Sequence, residues 1–216
     1  MFKKGERIGE GTEKKIFADA DNPDRVIAEY NRKEVESARQ LKSAYYFQKI
    51  IRCLFPENFP DIHLASFKEK AVLVSDRVDT DEGHRAYSRS RIIRDEKPLG
   101  VVDKVKADEF LNKIRSDPRV KKLYYSLLDV GIKIDSAYSN FAYDPQDNLI
   151  YLDTSYAWSY QGSEHGSEVN PYYDYEKLQK AIEGIKDETV KRKAIDYLDR
   201  LERLRMEEEQ EIKEGK

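Results

Sequence analysis

An α+β fold is predicted for this chain: an N-terminal antiparallel five-stranded sheet with one long helix, then a mainly helical C-terminal part. Three observations predict it. Residues 6 to 30 alternate short apolar runs with turn residues, as strands do. From about 32 to 55 the apolar period lengthens to three and four residues, as on an amphipathic helix. Beyond residue 107 helical patterning returns, broken by one strand–turn–strand segment.

In "RIGEGTEKKIFADADNPDRVIAEY", residues 7 to 30, glycines turn the first hairpin and Asn22-Pro23-Asp24 the second. Val35, Ala38, Leu41, Ala44, Tyr45, Ile51 and Leu54 then mark one helical face. "FPENFP" stops that helix, because neither proline can continue it. "DIHLASF" (61–67) and "AVLVSDRV" (71–78) supply two more strands around the charged turn "KEK". Residues 79–106 read as a polar, irregular connector with a surface insert. Its Arg85, Arg89, Arg91 and Arg94 suit either a solvated loop or a grip on phosphate or an acidic partner. The expected units are therefore 1–78, 79–106 and 107–216.

Residues 107–130 are predicted helical, with a break at Asp117-Pro118 and Gly131 just past the end. "GIKIDSAYSNFAYDPQDNLIYLDT", residues 131–154, then reads as loop, strand, turn and strand, with "DPQDN" as the turn. Residues 155–173 read as loop. Trp158 and the tyrosines at 156, 160, 172, 173 and 175 suit packing or stacking on a substrate. Two helices, about 174–185 and 187–213, finish the chain. The second carries Ile195, Leu198, Leu201 and Leu204 near one stripe, and its last ten residues are expected to project into solvent or fray.

Composition excludes several classes. The chain has 216 residues, 38% charged and 39% hydrophobic, enough for one domain or two small lobes with a heavily charged surface. A net charge of -3 gives no general basis for nucleic-acid binding. No apolar run of membrane-spanning length occurs, and "MFKKGERIGE" lacks the apolar core of a secretory signal. Cys53 stands alone, which rules out an internal disulfide or multi-cysteine zinc site and fits a reducing, cytoplasmic location. Its setting, "IIRCLF", predicts a buried, inert thiol. His63, His84 and His165 lack metal-ligand spacing.

Asp135, Asn140 and Asp153 surround the predicted hairpin, and turn chemistry alone would explain them. Yet "SLLDVGIKIDSAYSNFAYDPQDNLIYLDT" resembles the catalytic segment of the protein-kinase superfamily. There a helix leads to H-R-D-x-x-x-x-N, and a hairpin leads to the aspartate of D-F-G. The spacings agree: five residues from Asp135 to Asn140 and eighteen from Asp135 to Asp153. "GEGTEKKI", residues 9–16, resembles the glycine-rich loop, with Gly9 and Gly11 matched, Ile16 for the valine and Lys14 for the third glycine. It also precedes strand, helix and two strands, the order of the kinase small lobe.

The resemblance implies a bilobal, protein-kinase-like fold that binds ATP with Mg²⁺. It makes Asp135 the catalytic base, Asn140 and Asp153 the metal ligands, and Gly9, Glu10, Gly11, Thr12, Lys14 and Lys15 the nucleotide-binding residues. The chain departs from the family in several places. The third-strand lysine of V-A-I-K is replaced by Tyr30 beside Glu29, leaving Lys14, Lys15 or Lys33 as substitutes. Its helix partner is open between Glu34 and Glu36, and an inverted pair of Glu29 with Lys42 or Lys49 is a further alternative. D-F-G becomes Asp153-Thr154-Ser155, H-R becomes Lys133-Ile134, and A-P-E is absent; Asp174 is a candidate structural aspartate.

Three readings follow. The first is phosphoryl transfer to a hydroxyl on a protein or small molecule, with Tyr138 shaping the acceptor pocket. The second is a catalytically impaired pseudokinase, a nucleotide-binding scaffold. The third is an interaction module that uses the charged C-terminal helix.

Overall fold

Turn chemistry at Asn22-Pro23-Asp24 and alternating apolar residues on either side set the first sheet. The computed structural model describes residues 3–10, 14–30, 38–67, 70–92, 101–154, 156–161 and 168–214. Strands β1 (Lys4–Glu10), β2 (Lys14–Asp19), β3 (Arg25–Tyr30), β4 (Ile62–Phe67) and β5 (Lys70–Asp76) form one sheet in the order β1-β2-β3-β5-β4. All neighbouring pairs are antiparallel. Helix α1 (Ala38–Leu54) joins β3 to β4, so the predicted sheet-and-helix order holds.

Strand alternation divides the sheet's side chains between two faces. Ala28, Leu73 and Ile62, with the half-buried Ile16 and Leu64, pack with Leu41 and Ala44 of α1. Ile27, Val72 and Val74 form a separate small cluster. A different face of α1, bearing Phe47, Ile50 and Ile51, enters the largest apolar cluster with Phe110, Leu127, Tyr151 and Leu198. Helix α1 thus lines two cores. Cys53 is half-buried beside the larger one, and burial pushes its thiol pKa up, as suits an inert thiol.

The supposed irregular connector is largely helical. Helix α2 spans Glu82–Ile92, and α3 spans Val101–Ser116, six residues earlier than predicted. Asp81 starts α2 by accepting the His84 N–H at 2.7 Å. Among the described side chains, the buried face of α2 is Ala86 with the His84 and Tyr87 rings against Phe110, too sparse for a readable period. Arg85 lies 3.6 Å from Asp79. Arg94 and the side chains of Arg89 and Arg91 lie outside the described residues.

Helix α4 (Pro118–Asp129) begins at the predicted break, with Asp117 accepting the Arg119 N–H at 2.8 Å and Pro118 in the first turn. Gly131 follows with φ +82°, and a Cβ there would sit 2.8 Å from the Lys177 Cβ. Strands β6 (Phe141–Tyr143) and β7 (Leu149–Tyr151) form the expected hairpin around 144–148. The segment predicted as loop holds a second hairpin, β8 (Trp158–Gln161) and β9 (Glu168–Pro171), whose Trp158 and Val169 are buried. Helix α5 (Tyr175–Glu183) is capped by Asp174, which accepts the Lys177 N–H at 3.1 Å and so fills a structural role.

Helix α6 (Glu188–Glu214) corrects two expectations. Ile195 is 42% exposed, and Ala194 takes its place beside Leu198 and Leu201, a slip of one residue in phase. As far as Glu214 the terminal turns are helical, and those bearing Glu208 and Glu211 lie against α1 instead of projecting into solvent. Arg39 of α1 donates to Glu208 at 2.9 Å and bidentately to Glu211 at 2.6 and 2.7 Å, anchoring a stretch with no apolar stripe. No described helix is long and apolar enough to cross a membrane.

Candidate active site

The loop after α4 is pinned before it reaches the candidate residues. The Gly131 carbonyl accepts the Asp174 N–H at 2.7 Å, Ile132 pairs with Tyr173, and the Lys133 N–H donates to Tyr172 O at 2.8 Å. The chain then turns at Asp135, whose Oδ1 accepts the Ala137 N–H at 3.0 Å. A single 3-10 turn, Tyr138–Asn140, follows. The Asp135 main-chain carbonyl accepts the Tyr151 hydroxyl at 3.1 Å and the Asn140 side-chain amide at 3.4 Å. Backbone and buried tyrosine thus fix the loop, while the Asp135 side chain faces solvent.

The β6–β7 hairpin brings the other two residues together. Phe141 pairs with Tyr151, and one step further the Leu152 N–H donates to the Asn140 carbonyl at 2.7 Å. Asn140 and Asp153 therefore flank the last rung at the open end. The linker after α1 runs along β7: Asn58 accepts the Tyr151 N–H at this end and donates to Leu149 O nearer the turn, both at 2.8 Å.

The link to the first hairpin is an ion pair. Lys14 Nζ lies 2.5 Å from Asp153 Oδ1, across 139 positions of sequence. The two side chains are only 13% and 27% exposed. Lys14 stands on β2 opposite Tyr30, the position where the family's third-strand lysine was expected. Lys15 alternates to the other face. It pairs across the strands with Glu29, and Glu29 binds Lys4 at 2.5 Å, whose ammonium lies 5.0 Å from the Phe17 ring. The inverted pair of Glu29 with Lys42 or Lys49 is therefore not formed. Lys49 instead binds Asp61 at 2.5 Å. Burial opposes the charge on Asp61, but Lys49 outweighs it and holds the carboxyl below the usual carboxylate range.

Gly9 pairs with Ile16 and Glu10 with Lys15, closing the first hairpin as its sequence suggested. Gly11, Thr12, Lys33, Glu34 and Glu36, with the side chain of Glu10, lie outside the described residues. Tyr138 is 39% exposed, with the Arg115 guanidinium 5.9 Å from its ring. Trp158 is a core residue, 3% exposed, whose indole N–H has no partner among the described residues.

Among the described residues no group of three or more His, Cys, Asp or Glu could cage a metal. The donor set of one carboxylate and one amide oxygen still fits Mg²⁺, which keeps several waters and takes ligands from substrate phosphates. Local pattern could not reveal three contributors, Tyr151, Asn58 and the Lys14–Asp153 pairing. The nearest sequence signal was the lack of a lysine at position 30.

No family model and no curated protein matches this chain. Among solved structures, it is similar to a GDP complex of a mutant aminoglycoside 2'-phosphotransferase. The identity is 12% and the TM-score 0.33, over 97% of this chain and 88% of the other. It is also similar to a GDP and kanamycin complex of an APH(2'') enzyme, at 14% identity and a TM-score of 0.31, over 92% of this chain and 80% of the other. Scores of this size do not establish a shared fold.

Proposed function

We propose that this chain is a small, divergent kinase-like phosphotransferase. It binds ATP with Mg²⁺ between a small lobe (1–78) and a reduced large lobe (107–216), with 79–106 connecting them. One observation carries the reading: Lys14 of the first hairpin meets Asp153, one rung from Asn140, at the open end of the β6–β7 hairpin. Asp153 and Asn140 would hold the metal, which when bound offsets negative charge on phosphate oxygens. The first hairpin, Gly9 to Lys15, would border the phosphates, since glycine lets backbone approach them closely. Asp135, exposed on its pinned loop, would orient an acceptor hydroxyl and take its proton. The acceptor is a hydroxyl on a protein or a small molecule.

The test is thermal unfolding of wild type and Asp153→Ala, with and without millimolar ATP and Mg²⁺. A ligand that binds only the folded state raises the midpoint. A rise in wild type that vanishes in Asp153→Ala supports the site. No rise in either protein overturns it and leaves the interaction-module reading. A rise without any ATP turnover would favour the scaffold reading, which the absence of lysine at position 30 already motivates.

A further inference from the structure

We infer that Lys14 supplies the phosphate-binding cation of this site, displaced by one strand from position 30. It bonds Asp153 and exchanges that partner for phosphate oxygens when ATP binds. This rests on the nucleotide site proposed above and names the residue that recognises the phosphates.

The register makes the displacement feasible. Positions 14 and 30 are direct cross-strand partners. Such partners project from the same face with Cβ atoms about 5 Å apart, less than the reach of a lysine stem. An ammonium rooted on β2 can therefore serve the same place as one rooted on β3.

Burial and partner choice favour Lys14 among the described lysines. At 13% exposure its charge requires an anion close by, and Asp153 is that anion. The neighbouring lysines among the described residues are placed otherwise. Lys15 lies on the opposite face, Lys4 binds Glu29, and Lys49 binds Asp61.

Charge conservation explains the exchange. Metal-bound nucleotide brings divalent charge to Asp153 and anionic oxygens to Lys14, so each partner gains a replacement as the pair separates. Neither charge is left buried and bare, a state that is strongly disfavoured. The surrounding contact does not depend on the ion pair. Ile16, two residues beyond Lys14, and Tyr156, three beyond Asp153, pack against the same apolar cluster.

The experiment is equilibrium binding of ATP–Mg²⁺ and of adenosine, which lacks phosphates, to the full chain. Wild type is compared with Lys14→Met, which keeps the aliphatic stem, and with Lys14→Met/Tyr30→Lys. Lys14→Met should weaken ATP binding about 10- to 100-fold, the range of a charge-assisted hydrogen bond. Adenosine binding should change less than about threefold, and the double variant should regain at least about half of the lost affinity on a logarithmic scale. Equal loss for ATP and adenosine, no loss, or no recovery in the double variant would overturn the inference. If Lys14→Met fails to fold, Lys14→Arg is the second variant: it keeps the charge and should retain ATP over adenosine preference, and loss of that preference would count against the inference. A wild type that binds neither ligand overturns the nucleotide site itself, whereas a wild type matched by Lys14→Met overturns this inference alone.

Discussion

At the closed end of the β6–β7 hairpin, every carboxylate is tied into the fold by several partners; at the open end the ties are few. Asp144 accepts the Gln146 and Asn148 N–H groups at 2.9 and 2.8 Å and the Asn148 side-chain amide at 2.8 Å. Asp147, with φ 62°, is bound by Lys113 and Arg119, each at 3.0 Å. Asp117 takes Arg119 and the Tyr143 hydroxyl at 2.7 Å, while the Lys113 ammonium lies 3.7 Å from the Tyr143 ring centre. At the open end Asp135 accepts one loop N–H, and Asp153 holds one lysine from a distant strand. Aspartate is the common material. Where its oxygens are saturated by neighbours it shapes a turn; where they are not, it retains capacity for a ligand.

The largest expected effect tests the closed end through pH. Helix α2 is attached there, with the Asp81 N–H donating to Tyr143 O at 3.1 Å. Burial pushes the His84 pKa down to about 4, against an opposing pull from Asp81. Between the ordinary histidine value of 6.5 and 4, the unfolded chain binds a proton that the folded chain refuses. Stability should therefore fall as pH falls through that window, by about 3 kcal/mol at pH 4. Urea unfolding across the window measures this, and His84→Gln should flatten the profile. A profile unchanged by His84→Gln would show that the imidazole protonates freely in the folded protein.

Asp117→Ala comes next. It removes a helix cap, the partner of the Tyr143 hydroxyl and one anchor of Arg119, at a cost of about 2–3 kcal/mol. ATP affinity should not change. A large drop in affinity would mean that the two ends are coupled and would break the contrast between them.

Tyr151→Phe probes the boundary between the ends. Losing the hydroxyl on the Asp135 carbonyl should cost about 1 kcal/mol. It should slow phosphate transfer more than it weakens ATP binding, which steady-state kinetics would separate into kcat and KM. The smallest stability change, within about 0.5 kcal/mol, is expected for Asp135→Asn, because this exposed side chain can still accept the Ala137 N–H. The same variant should bind ATP normally and transfer no phosphate. Retained transfer would reduce Asp135 to a turn residue.

Elements with strong local signals were legible in the sequence. Turn residues and apolar period predicted the first sheet and α1, and Asp117-Pro118 the break before α4. The spacing of Asp135, Asn140 and Asp153 was legible for the same reason, since all three lie on one local loop-hairpin unit. Helix α2 was hidden because its buried face, among the described side chains, is Ala86 with two amphipathic rings. The β8–β9 hairpin was masked by the Ser, Gly and Tyr content of 155–173. Lys14 was one of three substitutes for the missing lysine. Among the described lysines, only the register of β2 on β3 and a contact across 139 residues distinguished it, and neither follows from local pattern.

The anchor between α1 and α6 has a consequence for the order of assembly. Arg39 and Glu211 are 172 positions apart. A ribosome adding about 5–20 residues per second leaves Arg39 without that carboxylate for roughly 10–35 s. During that interval the sheet and α1 can already be assembled, while the first turn of α1 still lacks its bidentate partner. Closing so long a loop costs only modestly more entropy than closing one half its length, so the delay is one of synthesis and not of search. The helix that carries the chain's last described residues thus completes the surroundings of its first helix.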